Sequence, residues 1–213
     1  MAQVHVVMEG EHLSAIALKH GFRSFIPIWN ASENAKLRAV REDPHQLLPG
    51  DEVVVPDKQP AKPFVRKPGA SYKFVVYVEK LKLRLEVVGL DGAPSVGTTG
   101  TLTINGIAGD VTTDGDGVIT AAVPSDCTSA TLQLGEAQYE IAVGALAPIS
   151  ESAGMAGRFT NLGYWYGDDD DANDTEALAL AVELFQADHG LDITGNVDAD
   201  IIQQLDQAHD GRE

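Results

Sequence analysis

Cysteine is almost absent from this chain of 213 residues, where Cys127 stands alone. One thiol makes no internal disulfide and no cysteine-based zinc cluster. Histidine is missing from the whole central stretch, the six being His5, His12, His20, His45, His189 and His209. That stretch alone therefore supplies neither a Cys–His nucleophile pair nor the His ligands of a catalytic zinc. No apolar run approaches the length of about 20 residues that a bilayer demands, so no membrane insertion is expected. Met1 to Gly10 lacks a basic n-region and a long apolar h-region, so no secretory signal is expected. Basic side chains are scarce, 15 against 32 acidic ones, for a formal charge of −17. The deficit lies at one end: residues 148–213 carry 2 basic and 15 acidic residues, residues 1–60 carry 6 and 8, and residues 61–147 carry 7 and 9. Nucleic-acid binding needs Lys and Arg opposite phosphates, so an acidic tail of this kind excludes it. Anionic membranes and anionic wall polymers are disfavoured for the same reason. The excess charge also serves solubility.

A hydrophobic content of 44% suffices for packed cores, and the length accommodates one large domain or two to three small ones. Val4, Val6 and Met8 alternate with Gln3, His5 and Val7, a short strand signal. After the turn at Glu9-Gly10, Leu13, Ile16 and Ala17 fall on one helix face, and Gly21 is placed to end that helix. Phe25, Ile28 and Trp29 suggest a second apolar helix face, and Glu33 to Ala39 reads as an added helical turn. Leu48-Pro49-Gly50-Asp51-Glu52 turns into Val53-Val54-Val55, which Pro56 stops. The expected order is strand, helix, helix, strand, with the strands paired. Residues 3–57 resemble a LysM domain through the Gly10–Gly21 segment, Trp29-Asn30, the Leu48-Pro49-Gly50 turn and the closing valines before Pro56. The stretch Ala31–Gln46 is longer than in a typical member and could reshape or cover the groove. The resemblance implies binding of N-acetylglucosamine chains beside the turns Gly10–Ser14 and Phe25–Asn30, with Gly10, Glu11, His12, Leu13, Ile26, Trp29 and Asn30 as the groove residues. Trp29, the largest apolar side chain of a small module, reads first as core.

Gln59 to Gly69, rich in Pro and Lys, reads as a linker. Strand signals follow at Tyr72–Val78, Leu81–Val87, Gly100–Ile104, Gly117–Val123, Ala130–Leu134 and Tyr139–Val143, separated by turns at Leu90–Pro94, Asn105-Gly106 and Thr113–Gly117. Short strands at this spacing without helical periodicity predict a small antiparallel β-sandwich. Residues 80–147 resemble the carboxypeptidase-regulatory or prealbumin-like domains in the order of strand, Asp91-Gly92-Ala93-Pro94 turn and Asp114-Gly115-Asp116-Gly117 turn. Such domains are spacers or interaction platforms. The Asp114–Gly117 turn lacks the further oxygens that a calcium loop needs, Val118 and Ser125 standing at the later ligand positions, and reads as a plain turn.

Gly157 to Tyr164 looks like the end of a helix, Asp174-Thr175-Glu176 like a start with Asp174 as N-cap, and Gly190 like a stop. Ala177, Leu178, Ala181, Leu184 and Phe185 form the apolar face between, and Ile201, Ile202 and Leu205 that of a last helix. Residues 153–207 resemble the three-helix peptidoglycan-binding domain through Asn161-Leu162-Gly163-Tyr164, Thr175, Ala181, Phe185-Gln186, His189-Gly190-Leu191 and Thr194-Gly195. In the family's glycine-patterned loop before the central helix, which here spans Trp165 to Thr175, the second half of the glycine pattern is replaced by the acidic run Asp168-Asp169-Asp170-Asp171. The resemblance implies a groove at Tyr164, Trp165, Tyr166, Asp174 and Thr175. Two readings of the acidic loop stay open, a lost wall site or a calcium site using Asp168, Asp170 and Asp174. Trp165 and Tyr166 read as sugar-stacking or as packed beneath the loop.

The expected fold class is multidomain α+β: a βααβ LysM-like domain at 1–57, a linker at 58–71, an antiparallel β-sandwich at 72–147 and a helical domain at 148–213. No carboxylate pair is singled out by spacing, so no enzyme and no cofactor is expected. The expected function is non-catalytic peptidoglycan binding, two wall modules adding avidity. The alternative is an interaction adaptor. The order LysM, sandwich, peptidoglycan-binding domain resembles accessory proteins of type VI secretion and other contractile injection machines, and implies a spike or effector as protein partner. The seven basic residues from Lys62 to Arg84, set against Glu79, offer a docking patch for an acidic partner or answer the chain's own acidic domain. The expected site of synthesis is the bacterial cytoplasm without a Sec signal, and the adaptor reading adds export by such a machine.

Overall fold

A computed structural model describes residues 2–58, 68–69, 71–73, 75, 80–90, 92–167 and 171–211. The linker reading at 59–67, the strand reading at 74 and 76–78, and the calcium reading at Asp168 and Asp170 lie outside the described residues. The chain divides into two compact units, Met1–His45 with Pro49–Ala145, and Gln46–Leu48 with Leu146–Glu213. No helix among the described residues is long and apolar enough to cross a membrane.

The first unit opens with β1 (Gln3–Val6), α1 (Leu13–Lys19), α2 (Ile26–Trp29), a 3₁₀ turn at Ser32–Asn34, α3 (Ala35–Val40) and β2 (Glu52–Val55). The expected strand–helix–helix–strand order is present, and β1 pairs with β2 antiparallel, Val4 opposite Val54 and His5 opposite Val53. The apolar set of β1 faces outward: Val4 and Val6 are 54% exposed and Met8 57%, while Val7 and, from β2, Val53 and Val55 are buried. Leu13, Ile16, Ile28 and Leu37 add the buried faces of the helices. Gly21, at φ +71°, ends α1. Its N–H reaches Leu18 O at 2.8 Å and the Phe22 N–H reaches Ala17 O at 2.8 Å, the paired bonds of a glycine-terminated helix.

The added turn braces the module. Asn34 is buried, and its amide takes the Val54 N–H at 2.8 Å while donating to Val54 O and Ile28 O, each at 2.8 Å. A side-chain amide thereby stands in for a neighbouring strand on the outer edge of β2. Arg38 donates to the carbonyls of Trp29 and Ala31. Arg41 forks onto Asp51 through Nε at 2.8 Å and Nη2 at 3.2 Å, fixing the turn into β2.

The rest of the unit is β3 (Lys80–Glu86), β4 (Thr99–Ile104), β5 (Ile107–Thr112), β6 (Val118–Pro124), β7 (Ser129–Leu134) and β8 (Ala137–Ala142). β3 pairs with β6, and the other four form a sheet in the order β5-β4-β7-β8, all antiparallel. Leu83, Leu85, Ile119 and Ala121 from the first sheet share a core with Leu102, Ala130 and Leu132 from the second. That is a small two-sheet sandwich. β5 carries no strand pattern in its Ala-Gly-Asp sequence. It forms because Asn105 (φ +48°) and Gly106 (φ +76°) make the tight turn that folds it back along β4.

The second unit holds α4 (Ser152–Leu162), α5 (Thr175–Asp188) and α6 (Ala199–Asp210) around Phe159, Ala181, Val182, Phe185, Ile201 and Leu205. Burying each phenylalanine ring contributes about 2–3 kcal/mol. Gly163 (φ +81°) and Gly190 (φ +65°) end α4 and α5 as Gly21 ends α1. Asp174 and Asp198 cap the starts of α5 and α6, Asp174 Oδ1 taking the N–H groups of Glu176 and Ala177 and Asp198 Oδ1 that of Ile201.

The Arg158 side chain is completely buried within this unit. It donates to Asp210 Oδ2 through Nη2 at 2.8 Å and Nε at 3.3 Å, and through Nη1 to Ala147 O and Gly154 O. One cation thus joins α4, α6 and the chain entering α4. Burial pushes the Asp210 carboxyl up, but the hydrogen bonds from His209 and Arg158 outweigh it and hold the group below the usual carboxylate range. Asp210→Ala removes a carboxylate that takes two N–H groups of the buried guanidinium and is expected to cost the helical unit about 3 kcal/mol. Urea unfolding followed through Trp165 in a Trp29→Phe background measures it. Adding Arg158→Met is expected to restore part of the loss, and an equal or larger loss in the double variant would contradict the pairing.

Candidate functional site

The N-terminal turn is built on Glu11. Its Oε2 takes the Met8 N–H at 3.0 Å and lies 2.7 Å from His5 Nε2, and Oε1 takes Lys19 Nζ at 2.9 Å. Burial raises the Glu11 pKa, but His5, the Met8 N–H and Lys19 together lower it to about 2. His12 caps α1, its Nδ1 accepting the Ala15 N–H at 3.4 Å, and its ring is 2% exposed. Leu13 is fully buried. The N–H of Leu13 goes to Pro44 O at 3.1 Å. The His45 ring lies edge-on between His12, at 5.7 Å, and Phe25, at 4.9 Å.

Of the expected groove residues, His12 is therefore a cap and Leu13 is core. Glu11 is engaged on both oxygens. Ile26 is 52% exposed, Trp29 and Gly10 are half-buried, and Asn30 is exposed. Pro44-His45, at the end of the longer segment, stands between the first turn and Phe25. Sequence reading did not find His45 or Asn34, because an isolated buried polar residue leaves no periodic signal.

In the helical unit the site grows out of the end of α4. The Tyr164 N–H reaches Phe159 O at 2.8 Å, which turns the Tyr164 ring back onto the core. There it stands edge-on to Phe185 at 5.5 Å and to Phe159 at 6.5 Å. Burial first, then the charge and hydrogen bond of Asp188, raise the pKa of the Tyr164 hydroxyl. Trp165 is half-buried against the same core. Gly167 is wedged against it: an added Cβ would stand 2.7 Å from Ala177 Cβ and 2.9 Å from Trp165 Cζ2. Tyr166, between the two, is 71% exposed. The structure thus divides the aromatic run, Tyr164 and Trp165 packing inward and Tyr166 presenting its ring outward.

Thr175 is exposed at the start of α5, and Asp174 is committed to the cap just described. The helix amides that would attract an anion are thereby already taken. Among the described residues no three His, Cys, Asp or Glu side chains are arranged to hold a metal ion. In the sandwich, Asp114 Oδ1 takes the N–H groups of Val118 and Asp116, which lower its pKa.

The opposite end of α5 is fixed by Gln186, which is buried. Its Oε1 accepts the N–H groups of Thr194 and Gly195 at 2.8 and 3.0 Å, and its Nε2 donates to Thr194 Oγ1 at 3.0 Å. The pairing of Phe185-Gln186 with Thr194-Gly195 in the sequence has this physical basis. His189 stacks on Phe185 at 3.9 Å and completes the aromatic cluster.

Burial, with the neighbouring His45 second, lowers the His12 pKa from 6.5 to about 4. The unfolded chain takes up this proton as pH falls from 6.5 and the folded chain does not, so stability is full above 6.5 and declines towards 4. Glu11 adds its own loss only below 4.5. His12→Asn keeps a capping acceptor without the titration. Thermal unfolding read through Trp29 across this pH range is expected to show a shallower decline in that variant; an unchanged slope would remove His12 from the account.

Neither a curated protein nor a solved structure matches this chain. Residues 157–205, under a quarter of the length, match the family model described as "Putative peptidoglycan binding domain". The span runs from within α4 to within α6, so the helical core, Tyr164–Tyr166 and the Gln186 clamp all lie inside a segment similar to a peptidoglycan-binding domain.

Proposed function

We propose that this chain is a non-catalytic peptidoglycan-binding protein whose helical unit holds the wall glycan against the ring of Tyr166. The observation that carries the reading is the exposure of that ring directly after Tyr164 and Trp165, which pack on the core, and before Gly167, which lies close against Ala177 and Trp165. A rigid aromatic face with a polar tip is suited to the C–H face and hydroxyls of a sugar and costs little side-chain entropy to engage. The family match over 157–205 supports the same ligand. The LysM-like N-terminal module supplies a second, weaker contact through Ile26 and Asn30, its exposed groove residues. Two weak contacts on one polymer add avidity. Recognition runs through neutral sugar, since a protein of charge −17 repels the carboxylates of the stem peptides.

One observation favours a second reading, that of an adaptor for an acidic protein such as a component of a contractile injection machine. Lys80, Lys82 and Arg84 stand in a row on the exposed face of β3, opposite Pro124, Ala122 and Thr120 of β6. The three cations are spaced about 7 Å apart along the strand, and Asp114 lies within electrostatic reach of Arg84 at one end of the row. An acidic partner fits such a row.

Co-sedimentation with purified sacculi separates the two. The intact protein is expected to sediment, and Tyr166→Ala to weaken binding about tenfold with an unchanged melting temperature. Asn30→Ala is expected to weaken it less, and reversing Lys80, Lys82 and Arg84 to Glu to leave it unchanged. Failure of the intact protein to sediment would overturn the wall reading, and capture of an acidic partner that the Glu variant loses would establish the adaptor.

A further inference from the structure

A cavity of the N-terminal module begins at the first expected groove turn, at Gly10, Glu11 and His12, and extends beyond it. It has a volume of about 350 Å³ and lies on the outer side of α1, between that helix and the turn that joins β6 to β7. Glu11, His12, Ala15, Leu18 and Lys19 with the Gly10 backbone form one wall, and Asp126 and Thr128 form the other. The two walls are held together by a close backbone approach. Gly144, which follows β8, has φ +82°, and an added Cβ there would stand 2.5 Å from the His12 ring and 3.2 Å from Gly10 O. Only glycine fits this contact, so the end of the sandwich rests directly on the turn that starts α1.

The chemistry of the walls narrows the ligand. Ala15 and Leu18 give an apolar floor. Lys19 is neutralised by Glu11, whose carboxylate stays ionised throughout the neutral range. Asp126 and Thr128 are exposed, and their side chains make no hydrogen bond with another described residue. They offer a carboxylate that accepts from two hydroxyls and a hydroxyl that both donates and accepts. The net charge of the rim is negative, which excludes phosphates and stem-peptide carboxylates. A floor for a methyl group or a C–H face, below acceptors for hydroxyl and amide N–H, suits a neutral acetamido sugar. The volume is at the lower end of ligand cavities and takes about one or two rings.

We propose that the β-sandwich is the second wall of a glycan-binding site, with Asp126 and Thr128 holding the hydroxyls of an N-acetylated sugar whose apolar face lies on Ala15 and Leu18. The inference rests on the reading of the N-terminal module as a glycan binder and adds to it a site that the module does not form alone. The sandwich is then a part of the binding surface and not a spacer.

Isothermal titration of the intact protein with a β-1,4-linked N-acetylglucosamine trimer tests this. Asp126→Ala combined with Thr128→Val changes only exposed side chains and is expected to weaken trimer binding at least fivefold, with the melting temperature unmoved. Asp126→Asn keeps hydrogen-bonding capacity without the charge and is expected to stay within twofold of the native protein; a loss as large as that of the Ala/Val variant would still place Asp126 in the site and show that its carboxylate charge strengthens the bonds to the sugar hydroxyls. Unchanged affinity in the Ala/Val variant together with loss in Asn30→Ala would overturn this site and leave the glycan reading of the module standing. No binding of the trimer by the native protein would overturn both.

Discussion

Backbone groups that leave a helix or strand in a module of this size must find partners inside the protein, and here buried polar side chains supply them. Asn34 answers both groups of Val54, Gln186 answers the N–H groups of Thr194 and Gly195, and Arg158 answers the carbonyls of Ala147 and Gly154. Each is buried, so each bond forms away from competing water and would be costly to leave unmade. Apolar packing alone would hold the helices together and leave the connecting segments loose. The clamps convert those segments into fixed parts of the surface, and the candidate sites are made of such segments.

That rigidity bears on function. Tyr166 sits in a loop, yet the preceding Tyr164 and Trp165 pack on the core, and the following Gly167 leaves no room for a side chain beside Ala177 and Trp165. A ring presented in this way loses little freedom on meeting a sugar, which matters for a weak ligand. The same economy holds at α1, where Glu11, His12 and Gly144 fix the turn from three directions. The negative charge, densest in the helical unit, sets the kind of contact available: neutral sugars are approached without penalty, and anionic parts of a wall are not.

Much of the fold was legible in the sequence because it rests on short-range rules. Gly21 and Gly190 marked helix ends, Asp174 marked a start, and the alternation of Leu81 to Leu85 marked an inward face that the structure reproduces. The rules failed where tertiary contact decides. β5 has no strand pattern and exists through its turn. Val4, Val6 and Met8 alternate as a strand should, but their apolar face is the outer one, because His5 bonds to Glu11 on the other side. At the sites, the aromatic run Tyr164–Tyr166 was visible as a run, and which ring faces solvent was not. His12 and Leu13 matched a groove motif and serve as cap and core. Asp126 and Thr128 belong to a distant part of the sequence, and no local pattern joins them to α1.

The central claim is that an exposed ring on a fixed loop meets wall sugar. Amide and side-chain NMR of the intact protein, titrated with soluble glycan fragments released from sacculi by a muramidase, addresses it residue by residue. The account requires saturable shifts at Tyr166 and at the neighbouring Trp165, Gly167 and Thr175. Shifts absent from this segment, or confined to the row Lys80–Arg84, would contradict it.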